Sequence, residues 1–173
     1  MSPTIRNGGD GHGHKENGDS HGHGHDHSHD HQSEVEVLSV SLRGSEGAFV
    51  DAPKLMKLLE AAPKDEIYRI KSVLTTSSSV EVYNSDQTAS VLTTPSDPSP
   101  STRYILNWAF GRWTFTPMEK AINEHESSDG TPLRMTMILA RYESAKWKKK
   151  LEVGGLLELD GNELGELTVT KIA

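Results

Sequence analysis

The first 33 residues hold eight of the chain's nine histidines and hardly any apolar side chain, so any core must be built from residues 34–173. Gly, His, Asp, Ser and Asn bury too little apolar surface to offset the entropy of ordering, and residues 1–33 are expected to form a disordered tail in the absence of a ligand. The part that remains, about 140 residues, suffices for one domain with a modest core and leaves no room for a second enzyme-sized unit.

Six of these histidines, His21, His23, His25, His27, His29 and His31, occupy every second position of HGHGHDHSHDH, and His12 and His14 precede them. Neutral imidazole is the commonest protein ligand for zinc, cobalt, nickel and copper. In an extended strand neighbouring rings of the run would stand roughly 7 Å apart at Cβ, whereas tetrahedral zinc needs nitrogens about 3.3 Å apart. The arm must therefore bend around an ion, and the interleaved glycines permit it. Eight rings offer many equivalent ways to supply three or four ligands, which predicts exchanging microsites with fast loading and release. Without a thiolate the affinity should fall below the roughly 10–16 kcal/mol of structural zinc-finger sites, and protons should compete as pH falls through 6. Zinc is the expected ion, with cobalt, nickel or copper as alternatives. The competing reading is a polar arm whose histidines only buffer pH.

The absence of cysteine excludes disulfides, thiolate metal sites and cysteine nucleophiles. A formal charge of -7 argues against nucleic acid as the main partner, because duplex binding depends on a positive surface. No apolar leader and no run of about 18 apolar residues is present, so neither secretion nor membrane insertion is signalled, and a cytoplasmic location, with nuclear access left open, is expected. The cluster Lys146, Lys148, Lys149 and Lys150 reads as the wet face of a helix.

From VEVLSVSL onward the chain reads as an α+β domain over residues 34–173. Leu38, Val40 and Leu42 alternate with Val37, Ser39 and Ser41 at the period of a half-buried strand. A helix is predicted from Asp51 to Ala62, capped by Asp51, with Leu55, Leu58, Leu59 and Ala62 along one face and Pro63 as its stop. EIYRIKSVL reads as a strand with Tyr68, Ile70 and Leu74 on one face and Ile67, Arg69, Lys71 and Val73 on the other. VEVY at residues 80–83 reads as a shorter strand, and the Ser/Thr/Pro-rich stretch over residues 84–102 as a long loop. TRYILNWAF places Tyr104, Leu106, Trp108 and Phe110 on one side, with Gly111 as a bulge before RWTFTPM. PLRMTMILARY is a further strand, ESAKWKKKLEVG a helix ended by Gly154 and Gly155, and LLEL with ELTVTKI a terminal hairpin bent at AspGly. The economical assembly is an antiparallel sheet with two helices packed on one face.

No GlyLys dipeptide exists, which removes the phosphate-cradling P-loop, and no GxSxG elbow is present. His125 in HESSD resembles the HExxH zinc helix only superficially, since Asp129 stands where the second histidine belongs and Gly130 and Pro132 break a helix there; it reads as an exposed loop histidine. Tyr104, Trp108, Phe110, Trp113 and Phe115 read as core before they read as a binding platform. Arg69 and Lys71 share one strand face at a spacing that suits an anion or an acidic partner. Nothing assembles a nucleophile, a base and an oxyanion site, so no enzymatic activity is expected.

Three segments in order resemble the C-terminal domain of the CobW family of metal-handling GTPases: VEVLSVSLRG directly after a His-rich stretch, EIYRIKSVL, and YILNWAFGRWTFTPM followed by PLRMTMILAR and a helix. The resemblance covers roughly residues 12–153. Family members typically read IYRxKG, so Lys71 matches and Ser72 stands where Gly is usual. Complete members carry an N-terminal P-loop domain with a CxCC metal motif, and this chain has neither. The resemblance therefore implies a metal-binding and protein-interaction half of a GTP-dependent metallochaperone, binding no nucleotide itself, whether as a standalone domain beside a separate GTPase or as a truncated gene model. Its expected partners are a CobW-type GTPase domain or a client apo-metalloprotein, with no membrane and no nucleic acid. The alternatives are a structural protein-interaction domain with a passive His-rich linker, and a metal-storage or buffer protein.

Overall fold

A computed structural model describes residues 34–77, 81–87, 101–118 and 130–173. The elements run β1 (Val35–Arg43), α1 (Ala52–Ala61), β2 (Ile67–Ser77), β3 (Ser101–Ala109), β4 (Arg112–Pro117), β5 (Leu133–Ala140), α2 (Ser144–Glu152) and β6 (Glu166–Lys171). They build one six-stranded sheet in the order β4-β3-β2-β5-β1-β6, with antiparallel pairing throughout. The predicted α+β sheet with two helices packed against it is what the described residues form.

Because β5 pairs antiparallel with both β1 and β2, those two strands run parallel to each other, and α1 carries the chain from one to the other over β5. The passage from β5 through α2 to β6 jumps over β1 in the same way. These interlocked crossovers are the ferredoxin-like arrangement, extended here by the β3–β4 hairpin on one edge.

α1 starts where Asp51 Oδ1 accepts the amide N–H of Lys54 at 2.9 Å, with proline tolerated in the first turn. Its buried residues Ala52, Leu55, Leu58 and Leu59 recur at helical spacing, each leucine contributing about 1.5–3 kcal/mol by burial. Pro63 ends it and has no N–H to offer the carbonyl of Leu59. The indole Nε1 of Trp108 supplies that donor at 3.0 Å and ties α1 to β3. α2 has no side-chain cap of its own; Glu36 of β1 accepts from the Ser144 amide at 2.8 Å, placing a carboxylate at the positive end of the helix. Trp147 and Leu151 bury the inner face of α2, and the Trp147 indole donates to Glu66 Oε2 at 2.8 Å.

Several local expectations change. A bulge between Ile67 and Arg69 inserts Tyr68 as the extra residue, so Ile67 joins Ile70 and Leu74 in the core while Tyr68 turns outward. Phe110 does not follow Trp108 inward: it and Gly111, at φ 50° and 83°, form a two-residue turn of the type that suits a right-twisted hairpin, and the ring is 60% exposed. Gly111 is thus a turn residue and not a bulge. The predicted terminal hairpin is absent among the described residues, since β6 pairs with β1 while Leu159 makes a single bridge to Val50. Residues 81–83 form no named strand; the carbonyl of Tyr83 accepts instead from the Trp113 indole at 3.2 Å. The predicted loop over residues 84–102 begins with a turn at Asn84 and gives way to β3 at Ser101, and residues 88–100 lie outside the described part.

Candidate functional site

The helices cover one face of the sheet. On the other face the strands display, by their period of two and their register, a set of side chains the core does not use. β2 presents Arg69, Lys71 and Val73; β3 presents Arg103, Ile105 and Asn107; β4 presents Arg112; β5 presents Arg134, Thr136 and Ile138; β1 presents Val37, Ser39, Ser41 and Arg43. β6 adds Glu166, opposite Arg43, with Thr168 and Thr170.

Among the described strand residues this face therefore carries six cations and one carboxylate, in a chain whose formal charge is -7. The asymmetry bears on what the face can attract, because its described charges have the sign opposite to the formal charge of the chain.

Five of the six cations form two groups, and Arg103, opposite Thr75 of β2, stands outside both. Arg43, Arg134 and Lys71 step diagonally across β1, β5 and β2: Arg134 faces Ser41 on one side and Val73 on the other, one residue pair away from Arg43 and from Lys71. Such diagonal neighbours stand roughly 7–8 Å apart, within joint reach of one ligand of peptide size. They line a shallow groove of about 550 Å³ together with the hydroxyls of Ser39, Ser41 and Thr136, and none of the described residues that line it is acidic. In the second group Arg69 and Arg112 flank Ala109, each being its direct cross-strand partner, so two guanidinium groups rise on either side of a small residue. The outward-turned Tyr68 ring lies 6.1 Å from the exposed Phe110 ring.

Arg69 and Lys71 thus share the open face as the strand period predicts. Arg43, Arg103, Arg112 and Arg134 join them only through the strand order. Each reads singly as an ordinary charge in an alternating strand, and the only signal available was its parity.

The predicted metal ligands His12, His14, His21, His23, His25, His27, His29 and His31 lie outside the described residues, as does His125. Among the described residues no group of three or more His, Asp or Glu side chains is placed to hold a metal ion. The α2 lysines behave as a solvated, ion-paired face: Lys146 reaches Glu66 at 2.6 Å and Glu143 at 3.1 Å, Lys148 reaches Glu152 at 3.7 Å, and Lys150 lies 4.2 Å from the centroid of the Trp147 ring. Tyr104, Trp108 and Phe115 are core, with Trp113 packed partly buried against them. No helix among the described residues is long and apolar enough to cross a membrane.

Comparison with known proteins gives no family, relative or architecture against which to set this site: no protein-family model, no curated protein and no solved structure matches the chain.

Proposed function

We propose that the chain is a metal-binding interaction module, in which the histidine-rich arm captures a divalent ion, zinc first among the candidates, and the folded domain brings it to a partner. A CobW-type GTPase domain or a client apo-metalloprotein would fit that role. The observation that carries the reading is the alternation of His21 through His31, a ligand set interleaved with Gly, Asp and Ser just ahead of β1 in the sequence. A tethered ligand cluster raises the local ion concentration beside the docking domain, so modest intrinsic affinity is enough. No chemical step is assigned to the domain itself, and nucleotide hydrolysis, where the system uses it, belongs to the partner.

Titration calorimetry with zinc tests this on the metal-stripped full chain and on a variant lacking residues 12–31. The full chain is expected to take up the ion at neutral pH and the variant not to, while the melting temperature of the metal-free domain stays the same. A metal-stripped full chain that binds no zinc, cobalt, nickel or copper overturns the proposal. The basic open face favours one second reading, a protein-interaction domain whose arm is a passive linker; capture of a partner that is indifferent to chelator and to loss of the arm would select it.

A further inference from the structure

We infer that the open face of the sheet docks an acidic, extended segment of a partner protein, one in which carboxylates alternate with apolar side chains. This deepens the reading of the domain as an interaction module and rests on that half of it, independently of metal in the arm.

Charge complementarity is the first argument. Among the described strand residues, six cations stand against one carboxylate on the face that the helices leave uncovered, and none of the six belongs to the core. Five of the six are arginines, whose planar forks bind carboxylates bidentately and lose less entropy per hydrogen bond than lysine does. The second argument is the interleaving. Val73 pairs with Ile105 across β2 and β3, and Val37 with Ile138 across β1 and β5, so two apolar pairs lie between the cations on the same surface. Ile105 is 38% exposed, beside the groove that Lys71 and Arg134 line. A segment in extended conformation sends alternate side chains to opposite sides, with neighbours on one side roughly 7 Å apart, the same step that separates successive residues on a sheet face.

Nucleic acid fits less well. Sheet faces that read single strands stack bases on aromatic rings near the middle of the sheet, and the open-face positions of the central strands hold none; the Tyr68 and Phe110 rings stand at one end. The net charge of -7 opposes a polyanion approaching from a distance, while a short acidic segment meets mainly the local field.

The test measures fluorescence anisotropy of a labelled peptide alternating Glu and Val against the full-length chain in chelator at low salt. Binding is expected, weakening as salt is added, and weakening by about tenfold or more in Lys71→Glu with Arg134→Glu. Arg69→Glu with Arg112→Glu, a second variant on the same face but outside the groove lining, should also bind more weakly and serves if the first does not fold. Lys57→Glu with Lys149→Glu, on the helices and so on the opposite side, should bind as the parent does. Equal affinity in the parent and in a folded open-face variant overturns the inference, as does tighter binding of single-stranded RNA than of the peptide. Zinc uptake measured on the same protein preparations after the chelator is dialysed away keeps the two readings apart, because peptide binding without zinc uptake sinks only the metal-carrying role, and zinc uptake without peptide binding sinks only the docking surface.

Discussion

The indole N–H of Trp108 donates to the main-chain carbonyl of Leu59 at 3.0 Å, in the place where a helix would use the amide of residue 63. That residue is Pro63, which has no N–H, so the residue that stops α1 also leaves a buried acceptor at its end. A strand side chain completes the helix, and the position of α1 on the sheet is fixed by a polar contact inside an otherwise apolar interface.

Replacing Trp108 with Phe should therefore cost more than its loss of volume. The Leu59 carbonyl is left buried without a donor and a small cavity opens beside it, together worth about 2–4 kcal/mol. Urea unfolding followed by far-UV circular dichroism checks this; a midpoint that falls with the slope unchanged is expected, and an unchanged midpoint would show that the hydrogen bond is not made.

Lys71 and Arg134 lie diagonally on the open face, and both line the groove between β1 and β2. Lys71→Glu should relieve like-charge repulsion and raise stability by a few tenths of a kcal/mol, roughly 1–2 °C in melting temperature for a domain of this size. Differential scanning calorimetry at low and high salt reads it, the gain shrinking as salt screens the charges. The same substitution weakens the proposed docking, so the face gives up stability for function.

What the sequence disclosed, and what it did not, divides at the range of the interactions. Alternation in β1, β3 and β5 and the leucine spacing of α1 are local, and the strands and helix they predict are present. The reversal at Tyr68 is not local: the amide of Ala140 donates to Glu66 O at 2.9 Å and the Trp147 indole to its carboxylate, so contacts from β5 and α2 hold the chain just before the bulge. At the C-terminal end the AspGly signal is locally correct, since Gly161 adopts φ 70°. Yet the chain that leaves it pairs with β1, because a hairpin partner is chosen by the sheet edge and not by the turn. Of the basic face, only Arg69 and Lys71 were legible, being two residues apart on one strand. The other four cations sit on four other strands: Arg103 and Arg112 arrive by the sequential antiparallel pairing of β3 and β4 beside β2, and Arg43 and Arg134 by the crossovers that set β5 and β1 on its other side, which no local pattern encodes.

Glu36 links three elements: its carboxylate on β1 is paired with Lys171 of β6 and accepts from the Ser144 amide at the start of α2. Those partners, Lys171 foremost, lower its pKa from 4.5 to about 2. A folded pKa below the unfolded one means stability that is complete above pH 4.5 and is lost as pH falls toward 2. Glu36→Gln should cost about 1 kcal/mol at neutral pH, through loss of the helix-terminal charge, and should flatten the acid limb of the stability curve. Urea midpoints taken between pH 6 and pH 2 would show it; parallel curves for parent and variant would mean that the pairing is not formed in solution.

Metal release should occur well above this window. Each imidazole bound to an ion must be neutral, and with an unperturbed pKa of about 6.5 three such ligands together lose affinity by up to about a thousandfold per pH unit once pH is well below that value. The domain's acid-sensitive contacts through Glu36 weaken only below pH 4.5. Between these limits the arm is expected to be empty and the domain folded. Zinc titrations at pH 7.5, 6.5 and 5.5, paired with circular dichroism on the same samples, separate the two events. Uptake that persists unchanged at pH 5.5 would point to carboxylate ligands, whose protonation lies lower, and would take the metal-binding role away from the histidines.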